Sequence, residues 1–191
     1  MKSNIHISVL FIFLLLALLY FSPERSPALL LAIGIHELGH ILAAKLCGIK
    51  IGTFKLGILG AAIVPHRLLY SYKDECILCI GGPLANFLFA FLTYAFCDFS
   101  MFSESFCLYS VSLGVLNILP IKSFDGGRIF SSLLSCKLTP KLTETILNTT
   151  SFILIFTLWS ISVYLLLKIS SSVSLFVFSV SLFAKIFLPD T

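Results

Sequence analysis

Two histidines four residues apart, with a glutamate directly after the first, are the strongest chemical signal in the chain: His36-Glu37-Leu38-Gly39-His40. Residues at i and i+4 of a helix share a face, so both imidazoles can bind one metal ion. Glu37 is then placed to act as general base toward a water held at that metal. The surroundings strengthen this reading, because Leu29–Ala44 is otherwise apolar. A carboxylate and two imidazoles are costly in hydrocarbon, and ionisable groups kept there mark functional positions. No basic residue stands one turn from Glu37 to make it half of a helix-stabilising pair.

Catalytic zinc takes three protein ligands and keeps a further position open. A third ligand must come from elsewhere, and besides Glu37 the acidic residues are Glu24, Asp74, Glu75, Asp98, Glu104, Asp125, Glu144 and Asp190. Glu24, Asp98 and Glu104 fall on the outer side of the topology expected below. Asp190 is terminal, and Asp74 and Glu75 belong to a charged loop. Asp125 stands out in Asn117-Ile-Leu-Pro-Ile-Lys-Ser-Phe-Asp125-Gly-Gly-Arg128, just past an apolar run. Pro120 ends or kinks the helix before it, and Gly126-Gly127 permits unusual backbone angles. Irregular backbone of that kind is tolerated at membrane depth beside a cavity. His40 lies about six residues, roughly 9 Å, from the inner end of its span, and Asp125 emerges at the same end of another. The two can meet near one face, although a solvated interfacial turn accounts for Asp125 equally well.

The elements that must position these groups are membrane spans. The 191 residues are 58% hydrophobic and 12% charged, with a mean hydropathy of +1.05. A soluble domain has about 25% charged residues, so lipid must solvate much of this chain. A span takes about 20 apolar residues. Six stretches qualify: 5–22, 27–46, 76–97, 105–121, 144–167 and 171–188. The first reads as a retained span rather than a signal peptide, because no small-x-small cleavage site follows it. Between the second and third, the glycine-rich stretch 47–75 suggests a short membrane-associated hairpin or loop. The expected fold is therefore an all-α membrane protein, one polytopic domain over residues 1–191. With a cytoplasmic N-terminus, 11 of the 13 Lys and Arg residues fall on the inner side, leaving only Arg25 and Lys168 outside.

Other chemistries find little support. No basic tract is interleaved with aromatics, which argues against nucleic acid as a partner. Of the six cysteines only Cys76 and Cys79 have CxxC spacing, without a second pair or a nearby histidine, so a cysteine zinc site is not indicated.

Three separated motifs together resemble the site-2 protease family of intramembrane zinc metalloproteases, in particular its bacterial stage IV sporulation branch. They are HELGH with Ile41-Leu-Ala-Ala-Lys-Leu-Cys-Gly48, then Gly81-Gly-Pro83-Leu-Ala-Asn86, then Asn117-x-x-Pro120 with Asp125-Gly126. The resemblance implies Zn2+ held by His36, His40 and Asp125, with Glu37 activating water. It also implies that Asn86 and Asn117 align substrate or stabilise the transition state. For each asparagine, satisfying the backbone of a broken helix is the structural alternative, as a helix break is for Gly82-Pro83. The implied partners are a membrane-tethered protein substrate, the lipid bilayer and an inhibitory membrane protein, and the implied location is the bacterial cell membrane. Neither a PDZ-like domain nor a C-terminal CBS regulatory domain is expected. The relatives cleave a membrane-tethered sigma-factor precursor. A metal-ion transporter leaves Glu37 without a purpose, and an inactive membrane scaffold has no need of all four chemical residues.

Overall fold

Small residues, not large ones, face inward on the first long helix among the described residues. A computed structural model describes residues 23–49 and 71–169, the backbone of the strands 5–7, 51–57 and 60–65, and Val180. In helix α1 (Ser26–Leu46), Ala28, Ala32, Gly39 and Ala43 are buried along the stripe that carries His36 and His40. Leu31, Leu38, Leu42 and Leu46 are exposed on the opposite side. That inversion suits a helix in lipid, where close backbone approach rather than burial of large side chains draws helices together. The helix ends at Gly48, whose φ of 66° is favourable only without a Cβ. Gly48 N–H donates to the Lys45 carbonyl (3.1 Å) and Ile49 N–H to that of Ala44 (2.9 Å), closing the last turn.

After α1 the backbone forms two antiparallel strands, β2 (Ile51–Gly57) and β3 (Gly60–Pro65), in register from Thr53 opposite Val64 to Gly57 opposite Gly60, with a one-residue shift between Ile51 and Thr53. Strand β1 (Ile5–Ile7) joins β2 in parallel, with Ile5 opposite Phe54. This shortens the first expected span: residues 5–7 are strand, their ladder being completed by β2, and 8–22 lie outside the described residues. Helix α2 (Tyr72–Phe96) starts at a capping box, in which Ser71 Oγ accepts from Lys73 N–H (3.2 Å) and Asp74 Oδ2 from Ser71 N–H (3.3 Å). It begins four residues before the expected span and runs straight through Pro83, so Gly82-Pro83 is not a helix break. Helix α3 (Met101–Ile118) starts at Ser100, whose Oγ accepts from Ser103 N–H at 3.1 Å.

The chain forms two compact units, Met1–Leu119 and Pro120–Thr191. In the first, α1 packs on both α2 and α3 around Ala28, Ala32, Ile35 and Phe106. Where α1 meets α2, glycines oppose each other: a Cβ on Gly81 would stand 2.6 Å from the Gly39 carbonyl oxygen and 2.7 Å from Ala43 Cβ. In the second unit a turn leads into helix α4 (Asp125–Ser135), and helix α5 (Pro140–Ile169) packs on it. Ser151 Oγ on α5 accepts from Lys122 N–H at 2.8 Å and fixes the turn.

Among the described residues there are thus five helices, and α1, α2, α3 and α5 are long and apolar enough to cross a membrane. The sixth expected span, 171–188, lies outside the described residues except for Val180.

Candidate metal centre

The inward stripe of α1 delivers three polar groups to the interior: His36, Glu37 and His40 are only 6%, 9% and 6% exposed. The two imidazoles sit edge to face, with centroids 4.7 Å apart and planes at 87°. Their Nε2 atoms are 3.2 Å apart. Two nitrogens that each stand about 2.0–2.1 Å from one tetrahedral ion are separated by roughly 3.3–3.4 Å. The pair is therefore spaced as co-ligands are.

The second helix sets the tautomer of His40. His40 Nδ1 is 2.8 Å from the Leu78 carbonyl oxygen, which can only accept a hydrogen bond. Nδ1 therefore carries the proton and Nε2 keeps its lone pair. A backbone carbonyl behind the non-ligating nitrogen is the usual outer support of a metal-bound histidine. His36 has a different partner, the wholly buried Asn86 on α2, whose amide nitrogen is 3.2 Å from His36 Nδ1.

Gly82 makes room for both rings. A Cβ there would collide with His40 Nε2, and would stand 2.6 Å from His40 Cε1 and 2.8 Å from His36 Cε1. The space that a single methyl group would fill lies against both rings. On the donor types, their spacing, the fixed His40 tautomer and this cradle, the first unit fits zinc as a two-histidine partial site.

Asp125 is carried by the second unit. The sequence suggests an unwound stretch there, but Asp125 is the first residue of α4, and Gly126 and Gly127 are helical. The irregular segment ends one residue earlier, where Phe124 N–H donates to the Ile121 carbonyl at 2.8 Å. Gly127 serves close packing rather than unusual angles, since a Cβ would strike the Ile121 carbonyl and stand 2.9 Å from Lys122 N. Asp125 is buried, 8% exposed. The described residues thus supply three buried donors suited to zinc: His36, His40 and Asp125. Asn117, at the end of α3, is partly buried and donates from Nδ2 to the Leu113 carbonyl of its own helix at 3.0 Å. Of the expected site residues, the first unit brings together His36, Glu37, His40 and Asn86. The roles of the Leu78 carbonyl and Gly82 are not readable from residue types, because they depend on how α1 and α2 are aligned.

Comparison with known proteins addresses the family. Peptidase family M50 matches residues 26–104 and 94–158. Stage IV sporulation protein FB of Bacillus subtilis is 32% identical over 143 residues, which are 72% of this chain and 49% of that protein. A zinc metalloprotease of Methanocaldococcus jannaschii is 28% identical over 116 residues, 57% of this chain and 34% of its own. The chain thus spans about half or less of the length of these curated relatives. The solved site-2 protease from Methanocaldococcus jannaschii shares the fold, with a TM-score of 0.64 at 22% identity, over 98% of this chain and 91% of that one. With a family match that runs from α1 well into α5, the chain belongs to peptidase family M50, the site-2 proteases, and is a multi-pass membrane protein.

Proposed function

We propose that this chain is a zinc metalloendopeptidase that hydrolyses peptide bonds of membrane-tethered proteins near the cytoplasmic face of a bacterial cell membrane. The observation that carries the reading is the buried His36–His40 pair, its Nε2 atoms 3.2 Å apart, with Glu37 beside it on the same helix. His36 and His40 would hold the ion from α1, and Asp125 would complete the protein ligands from the start of α4. Zinc, when bound, acts as a Lewis acid toward the scissile carbonyl and lowers the pKa of a coordinated water.

The remaining steps belong to the chain. Glu37 accepts the proton of the attacking water as the carbon–oxygen bond forms. It returns that proton to the leaving amide nitrogen as the carbon–nitrogen bond breaks. Asn117 aligns substrate or donates to the developing oxyanion. The narrow, water-poor interior of a helix bundle strengthens these interactions. A helical substrate must unwind first, because its internal hydrogen bonds occupy the carbonyl to be attacked. The β2–β3 pair, associated with the membrane surface, offers an edge to which an extended substrate can add as a strand.

In this reading six spans cross the bilayer, and the N-terminus is cytoplasmic. The likeness to a sporulation protein makes a sigma-factor precursor the first substrate to try, and a membrane protein inhibitor the form of control to look for. Co-expression with a tagged, membrane-tethered sigma-factor precursor tests this directly. Wild type is expected to shorten the precursor, and Glu37→Gln to leave it whole. Intact precursor with both chains, in cells where zinc is bound, would remove that substrate. Metal uptake by vesicles containing the chain would favour a transporter instead.

A further inference from the structure

Asn86 presents an inconsistency that points to its role. Its amide nitrogen faces His36 Nδ1 at 3.2 Å, while its buried amide oxygen has no hydrogen-bond partner among the described residues. In that arrangement Asn86 donates to Nδ1, so the His36 proton sits on Nε2. There it faces His40 Nε2, which is unprotonated because His40 Nδ1 donates to the Leu78 carbonyl. The chain of bonds from Asn86 through His36 and His40 to Leu78 is self-consistent, but it places a proton on the very atom that must ligate.

A His36 that ligates through Nε2 carries its proton on Nδ1 and needs an acceptor behind it. The partnerless Asn86 oxygen becomes that acceptor when the amide turns about its last torsion, exchanging oxygen and nitrogen; the two atoms are nearly the same size. We propose that Asn86 is a positioning residue that sets the His36 tautomer, its amide oxygen accepting from Nδ1–H when His36 ligates through Nε2. This rests on the metalloprotease reading and differs from a role on substrate. A carboxylate could accept from Nδ1–H as well, and an apolar side chain could not.

The full-length chain, purified in detergent, tests this by zinc affinity, measured in competition with a chromogenic chelator. Asn86→Leu, close in size but unable to accept, is expected to weaken zinc by about 10–100-fold, as loss of an outer partner of a ligand does. Asn86→Asp, which accepts only, is expected to bind zinc at least as tightly as wild type. Turnover is measured alongside at saturating zinc. Wild-type affinity in Asn86→Leu overturns the inference, and so does an Asn86→Asp as weak as the leucine variant. Unchanged zinc affinity in both variants with turnover lost at saturating zinc would assign Asn86 to the substrate instead. If the leucine variant fails to fold, Asn86→Asp decides alone, a loss of tenfold or more being fatal. A wild type that takes up no zinc overturns the metalloprotease reading and this inference with it, whereas every other negative result leaves that reading standing.

Discussion

At the scale of the residue, the proposed chemistry is divided between groups that would hold zinc and one that would react. Glu37→Gln keeps the size and a hydrogen-bonding tip but removes the proposed base. Turnover is expected to fall by about 100- to 10,000-fold with bound zinc unchanged, which metal analysis and a cleavage assay on the same preparation would establish. Asp125→Ala should do the reverse, lowering zinc content first and activity as a consequence; full zinc occupancy in that variant would strike Asp125 from the ligands. His36, Glu37 and His40 were legible in the sequence because their relation is local, fixed by 3.6 residues per turn. The Asn86–His36 bond was not, since 50 residues separate the partners. Only the alignment of two helices brings them together.

At the scale of the element, α1 and α2 form the scaffold of the site, and glycines determine how closely they can approach. Gly82→Ala would place a methyl group 2.6 Å from His40 Cε1 and 2.8 Å from His36 Cε1, so both rings must shift. Displacement of a catalytic group by about 1 Å can cost about 100-fold, and a loss of that order in turnover, with weakened zinc, is expected. A cleavage assay beside a zinc titration reads both; near-normal values would mean that the rings move aside freely. The cores of the long helices were legible from hydropathy alone. The path of α2 through Pro83 was not, because a missing N–H and a ring clash read as a break until neighbouring helices are considered. The Asp125 helix was likewise hidden behind Gly126-Gly127, whose need for space at Gly127 arises from the Ile121 carbonyl.

At the scale of the whole molecule, the distribution of charge carries the orientation. The chain's own cysteines report on it, since Cys97 follows α2 and Cys136 follows α4, and both are exposed. With a cytoplasmic N-terminus, a membrane-impermeant maleimide added to intact cells should label Cys97 and spare Cys136; labelling of Cys136 alone would invert the proposed topology. The measurement that tests the central claim most directly is cleavage of a membrane-tethered peptide by the purified chain in liposomes, before chelation, after it, and after zinc is restored. Cleavage that stops with the chelator and returns with zinc is the expected result. Cleavage undiminished after complete removal of zinc would contradict the metalloprotease account.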